Sequence, residues 1–236
     1  MKNIVLLACL LTASLSFSNE LPVEIQHLSQ AIQVKTVSHE DPEAIRGEVC
    51  ELTSRARLLG RGAEQAIASV GYALIELCRE SAAALKMTER AIRQNPENAI
   101  TWATHGNILL ANGEIEAGFA ALKKAEQLDP ESVWVRYLTD AFRAQAYMRA
   151  DDWETGVRIA QKAVNADPSL FWLQIPLANG MGILGDYEGA KKQWQLVKAR
   201  FPRLSVERYR WYLGYAVPAE IVDRQIEGLT RAGIEQ

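Results

Sequence analysis

Apolar residues in this chain recur at spacings of three and four, the mark of helices with one buried face. Nowhere do they alternate with the two-residue period of a strand, so the pattern predicts an all-α chain. An apolar run fills residues 4–17. After Pro22, the residues Ile25, Leu28 and Ile32 share one face of a short helical segment, and polar residues 35–40 read as a hinge. Asp41-Pro42 starts the next helix, a capping residue ahead of a proline whose missing N–H has no partner there anyway. Ile45, Val49, Leu52, Ala56 and Leu59 carry its apolar face until Gly60-Arg61-Gly62 breaks it.

From residue 62 the pattern repeats. Asn95-Pro96, Asp129-Pro130, Asp167-Pro168 and Phe201-Pro202 punctuate it, with prolines 34, 38 and 34 residues apart. The first repeat carries Trp102, Gly106, Asn112-Gly113, Leu122 and Ala125. The second carries Ala144, Tyr147, Asp151-Asp152-Trp153, Gly156 and Ala163, and the third Leu177, Ala178, Gly185, Tyr187, Ala190 and Trp194. Ala84 and Ala91 extend the pattern back into a degenerate unit at 62–96. Small residues at Gly106, Ala144 and Ala178, facing Gly118, Gly156 and Ala190, let two helices approach closely. Trp102, Tyr147, Leu122 and Trp194 fill the space beside them, and Trp153 and Tyr187 also fall on core positions. Gly113 and Gly185 suit the left-handed residue that closes a helix. The four extra residues of the second repeat amount to about one helical turn and predict a longer first helix at Val133–Arg149. Pro176, early in the third repeat's first helix, should shorten or kink it.

These residues at this period resemble the tetratricopeptide repeat. The resemblance implies an α-solenoid of antiparallel helix pairs, three clear units and one degenerate, closed by a C-terminal capping helix. The chain then divides into a signal peptide (1–18), an N-terminal helical segment (19–61), the repeat array (62–202) and C-terminal capping helices (203–236). His105 stands where the family has Leu, and Gln174 where it has Trp. Leu204-Ser205-Val206-Glu207-Arg208-Tyr209 and Glu227-Gly228-Leu229-Thr230-Arg231-Ala232-Gly233 are similar to tails of bacterial adenylate-cyclase-like and winged-helix regulators. That similarity implies a bacterial sensing or scaffolding module and carries no activity with it.

For function, the repeat implies a protein or peptide partner held in a concave groove lined by the first helix of each unit. By register with the family the groove takes Asn107, Leu110, Gln145, Met148, Arg149, Trp172 and Asn179. Their amides can bond an extended backbone, and the Met and Trp can hold apolar side chains. A carboxylate clamp of the kind some relatives use needs a Lys four residues before Asn107, and Ala103 stands there.

Composition narrows the chemistry. Lys+Arg number 26 against 29 Asp+Glu, so no basic excess exists to neutralise a nucleic-acid backbone. The histidines His27, His39 and His105 lie in no metal- or haem-binding spacing, and no nucleophile elbow or phosphate loop occurs. The reading is a non-enzymatic chain with no metal and no cofactor, and His105 as a packed or groove residue. Lys191, Lys192, Lys198, Arg200, Arg203, Arg208 and Arg210 face only one acid, Glu207, in their stretch; a solvated helix face accounts for them.

Lys2, the apolar run at residues 4–17, and small Ser16 and Ser18 ahead of Asn19 have the form of a cleaved signal. The run falls short of the roughly 20 residues a spanning helix needs. No later segment is long and apolar enough to span. Leu6-Leu7-Ala8-Cys9 resembles a lipoprotein box, but the apolar stretch ahead of it is too short. The chain therefore reads as periplasmic or secreted. Export would place Cys50 and Cys78 in an oxidising compartment, which favours pairing. A hairpin of residues 42–59 and 63–78, however, sets Cys78 about 9 Å past the position facing Cys50, at about 1.5 Å per residue. A disulfide and two buried thiols both stand. Intact-mass analysis of envelope-fraction protein should find the mature N-terminus at or near Asn19; a retained Met1 or a lipid-modified Cys9 would overturn the cleaved, soluble form.

Overall fold

The computed structural model describes residues 47, 50–51, 78, 80–166, 171–202, 204–210 and 219–234. The signal, the segment around Ile25–Leu28–Ile32, the hinge at 35–40 and the break at 60–62 lie outside the described residues. Residues 47, 50 and 51 are helical. Every regular element among the described residues is a helix: α1 Ser81–Gln94, α2 Ala99–Ala111, α3 Ile115–Leu128, α4 Val133–Arg149, α5 Trp153–Ala166, α6 Phe171–Ile183, α7 Tyr187–Arg200, α8 Ala219–Arg224 and α9 Glu227–Arg231. Residues 206–210 add a short helical stretch. The fold class is an all-α solenoid of antiparallel helix pairs: α2 with α3, α4 with α5, and α6 with α7.

The pairs are closed by one kind of turn. After α2 the N–H of Glu114 bonds the Leu109 carbonyl at 2.9 Å and that of Gly113 bonds Leu110, with Gly113 at φ 83°. The same paired bonds follow α4 at Asp151 and Asp152, follow α6 at Gly185 and Asp186, and follow α9 at Gly233 and Ile234. Gly185 and Gly233 take φ 89° and 68°, and Asp151 takes 64°. Side-chain caps then start the next helices. Asp152 accepts from the Thr155 N–H and Asp186 from the Gly189 N–H, while Asn98 and Ser132 do the same ahead of α2 and α4. At the ends of α1, α3 and α7, Asn95, Asp129 and Phe201 leave the helical conformation with ψ of 85°, 72° and 74°, as suits residues ahead of a proline.

The small residues act as the repeat pattern expects. A methyl on Gly106 would sit 2.7 Å from Leu122 Cδ2 and 2.9 Å from the Gly118 carbonyl oxygen. One on Gly156 would sit 2.6 Å from Met148 Cγ and 2.9 Å from the Ala144 oxygen. Helix α4 spans Val133–Arg149, the length the extra turn predicts. Pro176 does not shorten α6, which keeps 13 residues, as α2 does. Sitting in the helix's second turn, the proline has no N–H to bond the carbonyl four residues back, and the helix continues past it.

The chain's contacts define two compact bodies, one running through Thr139 and one from Asp140 on. In the first, α2 packs between α1 and α3, and the Thr139 hydroxyl donates to Glu126 Oε1 at 2.7 Å. In the second, α6 packs on α5, α7 and α9. Trp153 and Trp194 are buried. Tyr187 is not: it is 45% exposed at the first position of α7. Trp102 is half-buried, its indole N–H donating to the Pro96 carbonyl at 2.8 Å. Cys50 and Cys78 form a disulfide with Cα atoms 5.6 Å apart, so the offset expected from a simple hairpin register does not occur.

Trp194, 7% exposed, fills the space beside Ala190. Trp194→Ala should cost about 3–5 kcal/mol of stability in denaturant melts, the usual loss for a buried aromatic. A loss below about 1 kcal/mol would mean that the side chain does not hold the pair together.

Candidate partner-binding site

The first helices place the expected groove residues in one register. Asn107, Gln145 and Asn179 each stand six residues before the left-handed residue of their turn, Gly113, Asp151 and Gly185. Their surroundings differ. Asn107 and Leu110 are buried in α2, and Met148 is 1% exposed, its chain against Gly156. Gln145 and Arg149 are half-buried on α4, with Arg149 Nη2 donating to Gln145 Oε1 at 3.4 Å. The Trp172 side chain lies outside the described residues. Of the seven, therefore, Asn107, Leu110, Met148 and Asn179 offer no open surface in this state. A first helix packed on several sides covers most of its circumference, and register alone does not say which positions stay open.

Asn179, fully buried, already holds a backbone. Its Oδ1 accepts from the Gly228 N–H at 2.8 Å and its Nδ2 donates to the Arg224 carbonyl at 3.2 Å. Arg224 ends α8 and Gly228 lies in the first turn of α9, so one amide satisfies a helix C-terminus and a helix N-terminus together. The backbones are almost in contact there. A methyl on Gly228 would overlap the Asn179 carbonyl oxygen, and one on Gly182 would overlap the Gly228 carbonyl.

Arg224 is the hub of this seat. Its Nε donates to Asp151 Oδ1 at 2.8 Å, Nη1 donates to Glu227, and the guanidinium carbon lies 5.4 Å from the centre of the Trp153 ring. Asp151 also accepts from the Trp153 indole N–H at 2.6 Å. The bond from Arg224 holds the Asp151 carboxyl below the usual carboxylate range, and the Trp153 N–H adds to it. Arg224 holds Glu227 down in the same way, and the bond to Asp151 raises the guanidinium's own pKa. The repeat spacing marked Asp151-Asp152-Trp153 only as part of the second unit and did not point to Arg224. The available signal was that Asp151 occupies a turn position held by glycine in the other two repeats.

Three residues of the basic stretch have partners within the chain. Lys191 pairs with Glu188 at 3.2 Å, Arg210 pairs with Asp223, and Lys198 Nζ donates to the Pro202 and Leu204 carbonyls. His105 packs between helices: its Nδ1 lies 2.8 Å from the Thr88 hydroxyl of α1, and its ring meets Trp102 edge-on at 6.3 Å. Burial lowers its pKa, against the opposing pull of Glu89 and Glu114. Among the described residues no group of three His, Cys, Asp or Glu is placed to hold a metal ion, and no helix is long and apolar enough to cross a membrane.

No protein-family model matches the chain. A peroxisomal targeting signal receptor of Pichia angusta is 28% identical over 109 residues, which are 43% of this chain and 19% of that protein. The chain thus spans about a fifth of that relative's length. Among solved structures, PilW, a widely conserved type IV pilus biogenesis factor, superposes with a TM-score of 0.56 at 14% identity, covering 87% of this chain and 91% of its own. A MamA structure covers 80% of this chain and 98% of its own, with a TM-score of 0.42 and 17% identity. The fold is that of a tetratricopeptide-repeat protein.

The folded-state pKa of His105 lies below its unfolded value, so the unfolded chain takes up the proton first as pH falls. Stability should hold above about pH 6.5, the ordinary imidazole value, and drop below it. His105→Leu should remove that drop, so urea melts at successively lower pH should show the variant gaining on the wild type. A constant difference between the two across this range would mean that the imidazole stays neutral without consequence.

Proposed function

We propose that this chain is an exported, non-enzymatic scaffold that binds a protein or peptide partner through the first helices of its repeats. The observation that carries the reading is the fold itself, an array of helix pairs built to present side chains of successive first helices rather than to enclose a reaction. The Cys50–Cys78 disulfide supports export, since such bonds persist in oxidising compartments. So does the signal-like segment at residues 1–18. The part of the expected surface that is not fully buried is Gln145 and Arg149 on α4. Gln145 supplies an amide for a partner backbone and Arg149 a cation for a carboxylate or carbonyl. The resemblance of residues 168–236 to regulator tails fits a sensing or scaffolding role. The likeness to PilW favours one version of this reading, in which the partner belongs to envelope machinery of the pilus, outer-membrane or cytochrome-assembly kind.

Gln145→Ala with Arg149→Ala should weaken partner capture by about 1–3 kcal/mol while leaving the helical melt nearly unchanged. Cross-linking in the envelope fraction followed by mass spectrometry reads the capture. Reversing the charges of Lys191 and Lys192 is the control for the rival surface, and any effect there should fade with salt. Capture that survives the α4 change and is lost on the charge reversal would place the partner on the basic stripe instead.

A further inference from the structure

Residues 219–234 are held differently from the helices they lie against. Helix α8 has six residues and α9 has five. A helix of five residues has almost no stability of its own in water, so α9 depends on its seat on α6. At that seat Asn179 bonds backbone atoms only, which is how a side-chain amide follows the course of a chain without reading its side chains. The side chains are read at two flanking points. Gly228 meets the α6 backbone so closely that no methyl fits, and Arg224 lies over Trp153 with its Nε on Asp151. Asp151 keeps a positive φ where the equivalent turns use glycine, so a less favourable backbone is retained at the one turn that receives Arg224. The ion pairs that fasten the segment are partly open to solvent: Arg224 with Asp151, and Arg210 with Asp223.

We propose that the seat formed by Asn179 and Gly182 of α6 with Asp151 and Trp153 is a binding site for a short broken-helix segment carrying Arg four residues before Gly. The chain's own tail occupies this site as a built-in competitor, and a partner protein bearing such a segment displaces it. The proposal rests on the scaffold reading and adds the chemistry of the partner to it. The tail supplies the specification: an arginine for the carboxylate and indole, a backbone carbonyl and N–H for the amide, and a glycine for the close approach.

Four measurements on the full-length protein test it. In native-state hydrogen exchange, residues 219–234 should open at least about tenfold more often than the amides of α6, and Arg224→Ala should raise that opening further. Tail amides that exchange only through global unfolding, in wild type and variant alike, overturn the proposal. A fluorescent peptide of residues 219–234 is the direct probe. It should bind the Arg224→Ala protein at least about tenfold more tightly than the wild type, and adding Asn179→Ala should abolish that binding. Equal or absent binding to wild type and variant overturns the site. Light scattering should find the Arg224→Ala protein monomeric; a dimer would show that the occupant is the tail of a second copy and overturn the partner assignment. Partner capture reduced by the α4 variants but unchanged by Arg224→Ala would sink this proposal and leave the scaffold reading intact. Capture untouched by both would sink the scaffold reading as well.

Discussion

The architecture depends on how each helix pair is closed. The chain must reverse between two helices within a few residues, and the closing residue must take a left-handed conformation so that two N–H groups can turn back onto carbonyls of the helix just ended. Gly113 and Gly185 do this without a Cβ to accommodate. Once the reversal is fixed, the facing positions of the pair are fixed too. That sets Gly106 against Gly118 and Ala144 against Gly156, where any larger side chain would collide with backbone. Close approach then lets Leu122 and Met148 fill the remaining space as fully buried side chains.

Asp151 departs from this pattern with a consequence. An L-residue other than glycine at φ 64° is uncommon, and Asp is among the few that tolerate it. Here its carboxylate receives one N–H from Trp153 and one from Arg224. The turn thus serves both as the closure of α4 and as the anchor for a segment 73 residues further along the chain. Trp153 is buried at the position where Tyr187, also first in its helix, is exposed. Trp153 packs against Gly180 of α6, and the Arg224 guanidinium lies 5.4 Å from its ring centre.

The repeats were legible in the sequence because their determinants are local. Prolines, capping residues and left-handed glycines act within a few residues of themselves, so the period, the long α4 and the small-residue contacts could all be read from spacing. The Cys50–Cys78 bond was left open because a uniform hairpin register sets the two residues apart, whereas the folded chain brings their Cα atoms to 5.6 Å. The candidate site was legible in register and not in exposure. Asn107, Gln145 and Asn179 are equivalent along their helices, yet only Gln145 keeps partial exposure, because what covers a helix face is decided by segments distant in sequence. Asn179 is the clearest case: an amide expected to bond an extended backbone does bond a backbone, that of the chain's own tail, 49 residues away.

The tail's seat combines two kinds of interaction with different ranges. Ile226 and Leu229 are buried, and their burial is insensitive to salt and to charge. Arg224, Glu227, Asp223 and Arg210 sit at the surface, where ion pairs contribute little individually and are screened. Between them lies the amide of Asn179, which satisfies the last carbonyl of α8 and an early N–H of α9. Without a partner at that point, the break between the two short helices would leave a buried donor and a buried acceptor unsatisfied, which costs more than the net worth of the bonds themselves. The amide therefore does more than add two hydrogen bonds. It makes this path of the chain over α6 permissible, and any segment that takes the same path must present the same pair of backbone groups and the same absence of a side chain beside them.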